Sequence, residues 1–446
     1  MQVDKRFRWW LIIATLVGMA ACNNNDIDPN AAGLVPLKGT ADFTKYVAVG
    51  NSLTAGYADN GLYREGQLKS YPNILAGQFK TVGGGDFIQP LFTEVQANGS
   101  GYVRLIRVPT PATLATSIVA VAPGAARGGT TTGGAPLLTP FTSANQNLGV
   151  PGIRMSDIQT PGYGSTQGNP YFERFVSTAP ATTYLQYVGN NLNGATFFSC
   201  WLGNNDALGY AVSGGVSPMT ETAPFTTNFT AMINKLTENN RKGVVIGIPN
   251  ITTAPFFTTY TIPLVLTTVN AVVKPATPIT ALVVQTPGGI RATQTGDLLM
   301  LANVLEYAKI GSTTAGTRQG PYGLSALNPL PTQLVLDAGE VTALNARIAE
   351  YNSIMKAQAD VKGLVYIDPN TILGQLTSAT GLVQNGITYS STFVQGGVYS
   401  LDGLHLTPAG YALMSNEIIK GINSKYGSTI PQVNPAAYRR VLLQQE

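Results

Sequence analysis

Histidine is all but missing from these 446 residues: His405 is the only one, and cysteine occurs twice, as Cys22 and Cys200. Two cysteines exclude a disulfide framework, and a zinc site built on histidine has too few ligands. Charge is scarce as well, at 11% of residues, and the formal net charge is +4. Asp4, Lys5, Arg6 and Arg8 at the extreme N-terminus contribute +2 of this, leaving +2 for the rest of the chain. No nucleic acid or other polyanion is implied as a partner. No fixed repeat is present, which disfavours a solenoid or propeller. A hydrophobic content of 44% is enough for a large core and excludes disorder and collagen-like structure. The length suits two or three ordinary domains, or one α/β domain carrying large insertions.

Lys5, Arg6 and Arg8 precede an apolar run from Trp9 to Ala21, too short to cross a bilayer as an ordinary helix but suited to the core of a signal peptide over residues 1–21. The run ends in Met19 Ala20 Ala21 Cys22, which resembles a bacterial lipobox with Met19 in place of the usual Leu. That resemblance implies export, cleavage before Cys22, and a lipid anchor on Cys22 that holds the protein at a membrane of the cell envelope. Residues 22–40 then serve as a polar, Gly/Pro-containing tether. With Cys22 lipidated, Cys200 is read as a buried small hydrophobe.

Short apolar runs at Tyr46–Val49, Phe197–Leu202, Gly243–Ile248 and Gly363–Ile367 read as buried strands. Helical periodicity lies between them. One helix places Val341, Leu344, Ile348, Tyr351 and Met355 on one face and leaves Glu340, Arg347, Glu350 and Lys356 to the other. A second is expected from Pro408 through Tyr411, Met414, Ile418 and Ile422, with the proline in its first turn. Strands alternating with helices argue for a parallel sheet covered on both faces. Two stretches, about 83–145 and 250–335, break the rhythm and read as irregular insertions into a domain spanning 41–430, with a C-terminal tail at 431–446.

Four short segments carry candidate chemistry. Gly50 Asn51 Ser52 Leu53 puts a serine at a strand-to-helix turn, where backbone N–H groups favour developing negative charge. Capping the helix is the commoner task of such a serine, and the pattern is not the GxSxG elbow because Thr54 follows. Asp402 Gly403 Leu404 His405 sets a carboxylate three residues before the one imidazole, as a base with a fixed tautomer needs. A lone histidine more often has a structural role. Gly203 Asn204 Asn205 Asp206, directly after a strand, offers a side-chain amide, although these are also ordinary turn residues. Asn147 Leu148 Gly149 Val150 Pro151 Gly152 reads locally as a loop whose glycine allows close backbone approach.

The four segments, in this order, resemble the conserved blocks of the SGNH hydrolases, also called the GDSL esterase/lipase family, with Asn51 in place of the aspartate of that name. The resemblance spans residues 46–425. It implies a three-layer α/β/α, flavodoxin-like fold with a parallel sheet of about five strands. It also implies Ser52 as nucleophile, His405 as general base and Asp402 as its orienting partner. The backbone N–H groups of Ser52 and Gly152 and the side-chain amide of Asn205 are implied as the oxyanion hole.

The expected activity is hydrolysis of carboxylic esters through an acyl-serine, with no metal or organic cofactor. Few charges and an insertion holding Phe256, Phe257 and Tyr260 favour an apolar acyl group, as in a lipase or carboxylesterase, although such a cluster is as readily core packing. Removal of acetyl groups from polysaccharide is the alternative substrate class. A lipid-anchored protein that binds glycan or lipid without turnover is the alternative of another kind; retention of nucleophile and base together argues against it.

Overall fold

The computed structural model describes residues 35–110, 113–317 and 319–443. The expected signal peptide and Cys22 lie outside these residues.

Five strands, β1 (Tyr46–Gly50), β2 (Asn147–Gly149), β3 (Phe197–Trp201), β4 (Lys242–Ile246) and β5 (Val365–Ile367), make one parallel sheet in the order β2-β1-β3-β4-β5. This is the flavodoxin-like order, whose crevice opens between β1 and β3 at the carboxyl ends of the strands. Side chains alternate across it. Val47, Val49, Phe198 and Cys200 point into a core covered by α4 (Thr222–Leu236) and α6 (Ala338–Val361), through Phe225, Phe229, Leu344 and Ile348. Tyr46, Ala48, Phe197 and Trp201 point to the other face, covered by α2 (Tyr71–Lys80) and α7 (Pro408–Tyr426). Burial on both faces explains why these strands read as continuous apolar runs rather than alternating ones. Cys200, free and wholly buried, has its thiol pushed up to about 12 by burial.

Two local readings change. Asn147–Gly149, read from sequence as a loop, is the edge strand β2, paired with β1 from Ala48 to Gly50. Glu340, assigned to the polar face of its helix, is buried: it accepts from the Asp337 N–H at 2.8 Å while Asp337 accepts from the Glu340 N–H at 2.9 Å. Its place in the first helical turn, in a reciprocal cap, outweighs its place on the helical wheel.

The insertions contain structure of their own. Residues 83–145 hold two small antiparallel ladders, Tyr102–Leu105 with Ile118–Val121 and Ala126–Thr130 with Pro136–Leu138. Residues 250–335 hold α5 (Ile262–Val273) and a hairpin of Val283–Thr286 with Gly289–Ala292, around a separate core that includes Val265, Leu282 and Leu330. The apolar stretch Pro255–Val273 is interrupted: Thr261 caps α5, which at 12 residues is too short to span a bilayer. At the chain ends, Leu37 and Thr40, assigned to the tether, donate hydrogen bonds to Thr429 and Tyr426.

The short helix α1 (Ser52–Ala55) lies against β2, and Gly149 makes this possible, since a Cβ there would run into the backbone of Ala55. Gly149→Ala is expected to cost about 1–3 kcal/mol by overpacking, read as a lower urea midpoint with an unchanged slope.

Candidate active site

The ladder registers put Gly50 of β1 opposite both Gly149 of β2 and Trp201 of β3, so the three strands end side by side. Ser52, Gly152 and Asn205 follow those ends within a few residues and therefore stand along one edge, at the switch point of the sheet. Asn51 caps α1, its Oδ1 accepting from the Leu53 N–H at 3.0 Å, while its Nδ2 donates to Asn204 Oδ1 at 2.9 Å. An amide at 51 thus ties the serine turn to the start of α3 (Asn205–Val212) by a donor that a carboxylate lacks.

The loop before α7 brings His405 to this edge from the far end of the chain. His405 Nε2 lies 2.9 Å from Ser52 Oγ, and His405 Nδ1 lies 2.8 Å from Asp402 Oδ2. Asp402 also accepts from the backbone N–H groups of Leu404 (2.9 Å), His405 (2.8 Å) and Asn60 (3.1 Å) and from the Ser400 hydroxyl (3.1 Å). Burial alone would push its carboxyl up, but the neighbouring His405 and these hydrogen bonds outweigh that and hold it well below the usual carboxylate range. The Tyr57 ring covers the imidazole, with centroids 4.6 Å apart.

Among the described residues, the backbone N–H groups of Ser52 and Gly152 have no partner within the protein. Gly152 adopts φ +82°, a conformation that favours glycine. The Asn205 amide donates one hydrogen to Ile153 C=O at 2.9 Å and keeps the second free. The arrangement can pass a proton from the Ser52 hydroxyl to an imidazole backed by an ionised carboxylate, beside free N–H donors. Among the described residues no group of three His, Cys, Asp or Glu side chains is placed to hold a metal ion.

A family model described as GDSL-like lipase/acylhydrolase matches residues 46–418. The chain belongs to this family. It is accordingly a carboxylic ester hydrolase. Two solved structures are similar to this hydrolase over 86% of its length: an extracellular lipase from Streptomyces rimosus (12% identity, 99% of that chain, TM-score 0.30) and phospholipase A1 from Streptomyces albidoflavus (14% identity, 100% of that chain, TM-score 0.29). At such scores neither bears on activity. No curated protein matches the sequence.

Around the hydrolase's serine, histidine and aspartate lies a supporting layer that the sequence reading did not find. Asn60 and Asp59 adopt left-handed conformations, φ +59° and +52°. This turn aims the Asn60 N–H at Asp402, and the fully buried Asp59 carboxylate accepts from the Leu401 N–H at 3.1 Å and the Tyr63 hydroxyl at 2.6 Å. Burial raises the Asp59 carboxyl above its ordinary value, against the pull of Arg439, 3.5 Å away. Arg439 itself comes from the C-terminal segment and is clamped on Glu65 at 2.9 and 3.0 Å.

Asp206, quoted above only as part of a motif, braces the Gly152 loop by accepting from the N–H groups of Met155 (2.6 Å) and Ser156 (3.2 Å). Burial pushes its carboxyl up from 3.8 to about 6, beyond what these hydrogen bonds offset. Between those values the folded protein keeps the proton while the unfolded chain loses it, so this group's contribution to stability falls as pH rises. In urea unfolding, the advantage of the unsubstituted protein over Asp206→Asn is expected to shrink from about pH 4 to about pH 7. An advantage that grows with pH would show the carboxylate form to be the one stabilised.

Proposed function

We propose that Ser52 is the nucleophile of this ester hydrolase, His405 its general base and acid, and Asp402 the group that fixes the imidazole. His405 Nε2 takes the hydroxyl proton as Ser52 Oγ attacks the ester carbonyl. The N–H groups of Ser52 and Gly152 and the amide of Asn205 receive the oxyanion. The imidazolium then protonates the departing alcohol, and water, activated by the same imidazole, releases the acid from the acyl-serine. The observation that carries this reading is the unbroken chain Ser52 Oγ to His405 Nε2 at 2.9 Å and His405 Nδ1 to Asp402 at 2.8 Å. Burial on the Asp402 side supports a fixed tautomer, with N–H on Nδ1 and a lone pair facing the serine. The cleft beside Ser52 is walled mainly by apolar side chains, Leu53, Leu208, Ile251 and Ala254 among them, which favours an ester with apolar parts, as for a lipase or carboxylesterase.

Ser52→Ala is expected to lower kcat on p-nitrophenyl butyrate by about 10⁴-fold or more, and Asn205→Ala by about 10²–10³-fold. Undiminished turnover by Ser52→Ala would end the nucleophile assignment.

We also propose that the chain is exported and anchored through lipid on Cys22 to a membrane of the cell envelope, the support being the basic, apolar and small-residue order of residues 5–22. In a bacterial host fed radiolabelled palmitate, the full chain should carry label and sediment with membranes. Cys22→Ser should lose the label; a Cys22→Ser protein still labelled would refute the anchor.

A further inference from the structure

We infer that the ester is divided between two unequal apolar compartments on either side of His405, and that the enzyme is built for a short acyl group carried on a long apolar alcohol. The inference rests on the acyl-serine reading above.

The first compartment touches Ser52, Asn205 and His405 and is lined beyond them by Trp201, Leu208 and Ile251. It contains the nucleophile and an oxyanion donor, so the acyl chain of an ester attacked by Ser52 extends into it. Its free volume is about 60 Å³. A water-sized group needs roughly 10–15 Å³ by this measure, so it has room for an acyl group of two to about four carbons.

The second compartment touches His405 and Asp402 but not Ser52, and its volume is about 470 Å³. His405 and Leu404 line both compartments, so the alcohol of an ester attacked by Ser52 runs past the imidazole that must protonate it and into this one. The walls are Leu114 and Ile118 from the first insertion and Phe256 and Leu305 from the second, with Leu305 largely exposed at the rim. Among the described residues, the one charged group that borders the groove is Asp402, which is already committed to His405. Among the described residues, His405, Tyr57 and Asn60 are the other polar groups there, too few to replace the hydration of a sugar.

Decyl acetate and ethyl decanoate test this directly, because they are isomers with similar aliphatic leaving groups that differ in which side of the ester is long. With the full chain in detergent and acid release followed by titration, kcat/KM for decyl acetate should exceed that for ethyl decanoate by about 10-fold or more, since even one misfitting methylene is worth that much. Leu305→Glu, a rim change compatible with folding, should lower kcat/KM for decyl acetate several-fold and narrow the ratio. A ratio of one or below, with Ser52 labelled by a fluorophosphonate and turnover lost in Ser52→Ala, overturns the division while leaving the nucleophile in place. Turnover of both isomers by Ser52→Ala overturns the nucleophile reading itself. Faster release of acetate from acetylated xylan than from decyl acetate overturns the apolar alcohol side.

Discussion

A carboxylate kept ionised beneath an imidazole is the constraint around which this molecule is arranged. Taking a charge out of water costs several kcal/mol unless it is paired and hydrogen-bonded, and the side chain of Asp402 is only 9% exposed. The charge is retained because three backbone N–H groups, one hydroxyl and the imidazole all point at it. Two of the N–H groups come from its own tight loop, but that of Asn60 is 342 residues away in sequence. Bringing it there requires two consecutive left-handed residues. Asp and Asn tolerate that conformation better than most, and the turn stays because Asp59 is itself locked by Tyr63, Leu401 and Arg439. The polar path therefore runs from the C-terminal segment through two buried carboxylates to the imidazole.

The other half of the site depends on backbone registration rather than charge. Because β1, β2 and β3 end in step, their following residues share an edge without any side chain having to reach for it. Hydrogen bonds then cross between the turns: Asn51 to Asn204, Asn205 to Ile153, and Asp206 to Met155 and Ser156. Each turn is thereby held by its neighbours, which is how donors are fixed before a substrate arrives.

What was legible in the sequence follows the same division. Central strands such as Phe197–Trp201 announce themselves because both their faces are buried, and the edge strand Asn147–Gly149 does not, being three residues long with Asn and Gly at its ends. It exists only through pairing with β1, a long-range fact. Ser52, Asp402 and His405 stood out because they sit in recognisable local patterns, one of them around the chain's single histidine, and the structure brings these three together. Asp59, Asn60 and Arg439 carry no such mark: each lies outside those patterns and has a partner far along the chain. Glu340 shows the same limit on a smaller scale, since its position on the helical wheel gave no sign of the reciprocal cap with Asp337.

The insertions stand apart from this frame in one respect and touch it in another. Residues 250–335 fold partly around a small core of their own and partly on the main one, but Leu305 belongs to neither, so the groove wall it supplies can vary without disturbing the sheet. They also reach the loop of Asp402 and His405: the Phe256 N–H donates to Gly403 C=O at 3.0 Å, and Gly403, at φ +73°, has no room for a Cβ against Phe256 and Leu301. Gly403 lies between Asp402 and His405. The loop that sets the distance from carboxylate to imidazole is thus braced from outside by the segment that also lines the groove beside His405. The groove wall at Phe256 and the spacing of Asp402 and His405 consequently share one physical contact, so a change at Phe256 bears on the His405 loop as well as on the groove.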